Sequence, residues 1–340
     1  RESSGRISMV TISDIARESG VSIATVSRYL SKGPREIVAT EKGKEIYEIA
    51  LRLGYRNMEA MPSSGRFMIV HKDKHFSERV DNAYYFSLRN GIEEEARSNE
   101  DSLQFVPLSL LDKEIDGIDG AVIIGNYRQS DQDRILSLLK TDNVVFLGKL
   151  GFPSNVHDTV TYDVETCVML CMDALRKKGN RSVLFVDGKD TVDIQLVYQK
   201  ITSVIGYTRQ YPEIEFKGNI ECDGFGSGAG YNAMKEYLAN GGDIPDAVFT
   251  ATDPLAIGVR KALSEKGMYH GKDYSLVSMN GDDSVKWLEP SVVSVCFDSK
   301  EMGSEAIRLL HERMANPLRK HRCVYFAPYM TEGGSIVDRR

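Results

Sequence analysis

From Phe67 almost to its end the sequence alternates short β-rich runs with amphipathic segments, and this limits the fold more than any other feature. FMIVHK, LQFVPL, GAVIIG, VVFLG, SVLFVDG, AVFTATD, YSLVSMN and VVSVCFD read as strands. YFSLRNGIEEEARS, QDRILSLLK, VETCVMLCMDALRKKG, QLVYQKITSVIGYTRQ, SGAGYNAMKEYLAN, PLAIGVRKALSEKG and SKEMGSEAIRLLHERM read as the helices between them. A strand that returns through a helix lies parallel to its predecessor, so the helices cover both faces of a parallel sheet. So many alternations predict two such lobes. Ligands of open α/β sheets bind beyond the carboxyl ends of strands. Asn126, Lys149, Asp187, Thr252, Asp253, Asn280 and Asp282 stand there, amide, hydroxyl and charged groups of the kind that replace water around a sugar. Tyr84 and Tyr85, at a helix start after the first strand, either stack on a pyranose face or pack in the core.

The front of the chain is different. Residues 1–62 carry ten Lys/Arg against eight Asp/Glu, and the remaining residues 33 against 41. A mildly basic front and an acidic body permit a nucleic-acid contact at the front only. The five cysteines include no C-x-x-C pair, so reduced thiols are expected, with Cys167 and Cys171 sharing a packed helix face. No stretch of about 18 apolar residues and no secretion signal is found, so a cytoplasmic protein without a membrane contact is expected. Met9 reads as a natural start, and residues 1–8 as either an expression remnant or a displaced carboxyl terminus, since SIVDRR joined to RESSGRIS makes a plausible ending.

Three short helices are expected before residue 56. Thr11 with Asp14 forms a T-x-x-D capping box ahead of Ile12, Ile15 and Ala16, and Gly20 stops that helix. Ser22 caps the second helix, with Val26, Tyr29 and Leu30 facing inward. Thr40 caps the third, which carries Ile46, Ile49, Ala50 and Leu53 at helical spacing up to Gly54. With a tight Gly20-Val21 turn this is a helix-turn-helix plan. Once Val26 and Leu30 are buried, Ile23, Ala24, Ser27 and Arg28 project from the other side. A small leading edge of this kind enters a major groove, where Arg28 reaches guanine O6 and N7 and Ile23 or Ala24 touches a thymine methyl. Thr11, Ser13, Ser22, Thr25 and Ser31 supply short polar groups for phosphates.

TISDIARESGVSIATVSRYLSKG together with L-G-Y at 53–55 resembles the amino-terminal module of the LacI/GalR family of bacterial repressors. The resemblance implies that Ile23, Ala24 and Arg28 read bases while Thr11, Ser27 and Tyr55 support or touch the DNA backbone. After L-G-Y the family continues into a hinge helix whose leucine wedges into the minor groove. Here RNMEAMPSSGRF places Ser64 at the leucine position and Pro62 inside the helix, so a flexible tether is expected, with Met58 or Met61 as the alternative wedges.

YYFSLRNGIEEEA, IDGAVII, KKGNRSVLFV and AVFTATDPLAIGVRKAL resemble the family's periplasmic-binding-protein-like core. That likeness implies two lobes closing on a sugar or nucleobase, chain crossovers near 160, 292 and 320, and a dimer whose two heads move with the lobes. Of the family's effector positions only Asn280 is kept. Gly148 stands where Asp is frequent, Gln195 near an Arg, and Thr252 at an Asn; Lys149 would favour an anionic ligand.

Six scattered histidines, no H-E-x-x-H, no G-x-S-x-G and no P-loop leave neither a catalytic nor a metal site. GFGSGAG at 224–230 reads as a strand-to-helix turn, and Trp287, the single tryptophan, as packing or a cleft rim. The expected organisation is an all-α helix-turn-helix head (9–56), a linker (57–66) and an α/β two-lobed periplasmic-binding-protein-like domain with two parallel sheets (67–340). The expected function is a homodimeric, cofactor-free transcription regulator of carbohydrate-utilisation genes. It would bind a pseudo-palindromic double-stranded operator through Thr11, Ser22, Ile23, Ala24, Thr25, Ser27, Arg28 and Tyr55. Its small carbohydrate or related polar effector would meet Tyr84, Tyr85, Asn126, Lys149, Gln195, Thr252 and Asn280. A solute-binding protein and a sugar-modifying α/β enzyme are the rivals.

Overall fold

The computed structural model describes residues 10–32, 37–38, 40–55, 64–76, 81–148, 156–189 and 194–340, with backbone alone for 194–198. The expectations for residues 1–8, Met58, Met61, Pro62, Lys149 and the Gln195 side chain lie outside this set.

The head has three helices, α1 (Ile12–Ser19), α2 (Ile23–Leu30) and α3 (Glu41–Leu53). Thr11 accepts from the Asp14 N–H while the Asp14 carboxylate accepts from the Thr11 N–H, completing the capping box. Ser22 and Thr40 cap α2 and α3 by accepting the Thr25 and Gly43 N–H groups, without a reciprocal bond from the third residue to the cap N–H. Ile15, Ala16, Val26, Ile46, Ile49 and Ala50 close into one small core, against which Tyr29, Leu30, Leu53 and Tyr55 lean. The buried Tyr47 of α3 points elsewhere: its hydroxyl donates to the Ala315 carbonyl in the body.

The body contains two six-stranded sheets. In chain order its elements are β1 (Arg66–His71), α4 (Ala83–Ser98), β2 (Ser102–Pro107), β3 (Gly120–Ile124), α5 (Gln129–Leu139), β4 (Val144–Leu147) and β5 (Asp158–Tyr162). Then come α6 (Val164–Lys177), β6 (Ser182–Gly188), α7 (Ile194–Gln210), β7 (Glu215–Cys222), α8 (Ser227–Ala239), β8 (Ala247–Thr250), α9 (Asp253–Ser264) and β9 (Ser275–Met279). The chain finishes with α10 (Asp283–Lys286), β10 (Val293–Cys296), α11 (Ser299–Ala315), β11 (Cys323–Phe326) and β12 (Tyr329–Met330). The first sheet runs β11-β5-β4-β3-β1-β2, all parallel; the second runs β12-β10-β9-β8-β6-β7, parallel except for β12.

The chain leaves the first sheet after β5, returns after β10, and leaves again after β11. The first passage lies near the expected 160. The second and third come later than 292 and 320, because β10 still belongs to the second sheet and β11 to the first. Strands β1, β3, β4, β8 and β9 are buried almost throughout, as a sheet covered on both faces requires. Cys167 and Cys171 lie on the buried face of α6, and burial raises both thiols above their ordinary range. Trp287 corrects the packing expectation, since it is 87% exposed.

Candidate DNA-reading surface and ligand cleft

Helix α2 is built to show one face and hide the other. Val26 is fully buried against α1 and α3, which fixes the rotation of the helix and leaves Ile23, Ala24, Ser27 and Arg28 exposed. Ile23 is 55% exposed, a cost in water that a thymine methyl would remove. No acidic residue lies on α2, so nothing on the helix itself repels a phosphate backbone. The Ser22 and Thr25 hydroxyls share a hydrogen bond of 2.9 Å at its amino end, and Ser22 also accepts the Thr25 N–H at 3.1 Å. Both groups therefore first hold the helix start. Thr11 does the same for α1, and the half-buried Tyr55 packs on the head core just beyond α3.

In the first lobe a cluster of aromatic rings gathers where β1, β3 and β4 end. Tyr85 stacks on the buried His75 with centroids 3.7 Å apart, and Tyr84 meets Tyr85 edge-on at 5.0 Å. Burial holds His75 well below its ordinary range, so this ring is neutral. The His75 ring also crowds Gly125, next to Asn126. Tyr84 extends to Phe297, which stacks on Tyr162 at 3.7 Å, so the cluster reaches the segment by which the chain returns from the second lobe.

Gly148 has no room for a side chain. Its φ is +71°, and a Cβ there would lie 2.7 Å from the Tyr84 hydroxyl oxygen. The Tyr84 hydroxyl thus occupies the room that a side chain at 148 would need, and it is buried without a hydrogen-bond partner among the described residues. Gly148→Ala should therefore cost about 1–3 kcal/mol in chemical denaturation, from positive φ plus the clash. Part of that loss should return in the Tyr84→Phe, Gly148→Ala double variant, where the oxygen is gone; equal losses in both backgrounds would show that the two positions do not meet.

In the second lobe Thr252 caps α9 and its hydroxyl donates to the Phe225 carbonyl at 3.1 Å. Asn280 sits at φ +116° and its N–H donates to the Val295 carbonyl at 2.9 Å, which ties the end of β9 to β10. Sequence reading missed Lys200. It is only 8% exposed, and its ammonium donates to the Ala251 carbonyl at 3.1 Å while lying 5.7 Å from the Phe225 ring. A lysine on an amphipathic helix carries no signal of such burial.

Asp253 and Asp282, taken from the sequence as cleft groups, form an internal network instead. Asp253 is fully buried and accepts from the Ser278 and Ser294 hydroxyls and, at 2.6 Å, from the Asp282 N–H. Asp282 leaves one carboxyl oxygen without a partner among the described residues. Burial, and then the Asp253 charge beside it, raises the Asp282 carboxyl far above the usual carboxylate range, to about 8. The sign follows by linkage. The native state keeps a proton that the unfolded chain releases above about pH 4, so this group makes the protein less stable as pH rises from about 4 towards 8. Asp282→Asn should gain on the order of 1 kcal/mol over the parent near pH 8, with the gap closing near pH 4. Parallel pH profiles of the two proteins would refute this.

Among the described residues no three His, Cys, Asp or Glu gather as a metal ion would need, and no helix is long and apolar enough to cross a membrane.

Known proteins place this geometry. Residues 11–57 match bacterial regulatory proteins of the lacI family, and residues 172–336 match the periplasmic binding protein-like domain. The HTH-type transcriptional regulator GanR of Bacillus subtilis (strain 168) is 28% identical over 329 residues, 93% of this chain and 96% of that protein. The Lac repressor dimer bound to operator and the anti-inducer ONPF superposes with a TM-score of 0.66 at 16% identity, covering 97% of this chain and 99% of that one. A LacI family transcriptional regulator from Enterococcus faecium with bound ribose gives 0.68 at 18%, covering 81% and 100%. With both modules matched in order and the relatives aligned over nearly their full length, the chain belongs to the LacI family of bacterial regulatory proteins.

Proposed function

We propose that this protein is a homodimeric, sequence-specific DNA-binding regulator of carbohydrate-utilisation genes, acting as a repressor in the cytoplasm and controlled by a small sugar-like effector held between its lobes. The observation that carries this reading is α2, whose Val26 is buried in the head core while Ile23, Ala24, Ser27 and Arg28 stay exposed on a head joined to a two-lobed body. Two such heads in a two-fold dimer fit a pseudo-palindromic operator with half-sites about one helical turn apart. Ile23, Ala24 and Arg28 read bases; Thr11, Ser22, Thr25, Ser27 and Tyr55 position the backbone. Tyr84, Tyr85, Asn126, Thr252 and Asn280 face the effector, and its control rests on binding one lobe arrangement more tightly than the other. The relatives are named as regulators, which favours binding over catalysis.

The test is selection of bound duplexes from a random library at fixed, moderate salt, with and without a panel of sugars. Enrichment of a palindrome that one sugar abolishes or strengthens is the expected result. Failure to enrich any duplex under all conditions would overturn the reading.

A further inference from the structure

The glycine-rich turn before α8 has a partner in the other lobe. Helix α8 begins at Gly226, which offers no side chain to cap it, so the N–H groups of its first turn need acceptors from elsewhere. One comes from the first lobe: Asp81, two residues before α4, accepts the Ser227 N–H at 3.0 Å. The second Asp81 oxygen would lie 2.7 Å from a Cβ at 226, so only glycine admits the carboxylate this closely. The Thr252 hydroxyl holds the Phe225 carbonyl and keeps the turn in place. A carboxylate on the positive end of a thirteen-residue helix is a favourable, charge-assisted contact. The bond joins segments 146 residues apart on opposite lobes, so separating the lobes would break it.

We propose that Asp81 is a latch: seated on the amino end of α8, it holds the two lobes in their closed arrangement. The inference rests on the reading that lobe arrangement controls this regulator. The closed form gains the contact and the open form does not, so the latch sets the ratio that an effector must overcome or reinforce.

Two variants remove the contact from opposite sides. Asp81→Ala deletes the acceptor. Ser227→Pro deletes the donor N–H at the first helical position, where proline is well tolerated. Small-angle scattering of the full, ligand-free chain should show the open-to-closed ratio rising about tenfold in each, and the double variant should add nothing further because both changes remove one bond. Scattering indistinguishable from the parent in both single variants, or effects that sum in the double variant, would overturn the latch. Duplex selection on the same samples separates the two ideas. A palindrome selected while the scattering stays unmoved defeats the latch alone. A chain whose scattering moves but which selects no duplex defeats the regulator reading alone.

Discussion

Replacing Arg28 by alanine should weaken operator binding by about 1–3 kcal/mol per half-site, or roughly 30-fold to 10⁴-fold over the two heads of a dimer. The change should also relax the preference at one base pair in each half-site. The physical basis is narrow. Arg28 is exposed in the last turn of a helix whose rotation is fixed by a fully buried Val26, and a bidentate guanidinium contact to guanine is the commonest specific base contact, worth about 1–3 kcal/mol of discrimination. Removing a lysine that touches only phosphate would instead lower affinity for every sequence equally and flatten the salt dependence. The measurement is therefore a titration of the variant against the selected operator and a set of single-base changes. Equal losses on all duplexes would assign Arg28 to the backbone. Head stability should not change, because the side chain fills no part of the head core.

How much of this was legible depended on what each residue does locally. Caps and apolar spacing act within a few residues, so Thr11, Ser22 and Thr40 marked three helices that the structure places as expected. Strands were readable where apolar residues dominate the run, including β2 at a sheet edge. β5 was missed because its buried row contains Asp158, Thr159 and Thr161, and β7 because it is an edge strand with alternating exposed residues. The cleft was only half legible. A sequence shows which polar groups stand at strand ends, but not that Asp253 spends its oxygens on Ser278, Ser294 and a backbone N–H. Nor does it show that Tyr84 fills the space beside Gly148, or that Asp81 crosses to α8, since those partners are far apart in the chain and meet only in the fold, the first pair within one lobe and the second across the two.

The largest stability loss should follow Asp158→Ala. Asp158 is 1% exposed at the start of β5, where its carboxylate accepts from Arg313 at 3.0 Å, from Arg319 at 2.8 and 3.0 Å, and from the Arg322 N–H at 2.7 Å. Burial alone would raise this carboxyl, but the Arg322 N–H and the two guanidinium groups outweigh it and hold it below its ordinary range. Its contribution is therefore present at neutral pH and disappears as pH falls through the lowered value. Alanine leaves two largely buried guanidiniums without their anion, a change that costs about 3–5 kcal/mol. Denaturation at pH 7 should show that loss, and the deficit should shrink in acid, where the parent also loses the charge. The site matters beyond stability. β1 and β5 run parallel in one sheet, so Asp158 lies at the same edge as Arg66, where the chain arrives from the head. Arg313 is two residues before Ala315, the carbonyl on which Tyr47 of the head rests. Loosening this support should weaken every operator sequence alike, leaving base preference intact, the opposite of the Arg28→Ala signature. A change in base preference would mean that the cluster acts on the reading helix itself rather than on the seat that carries the head.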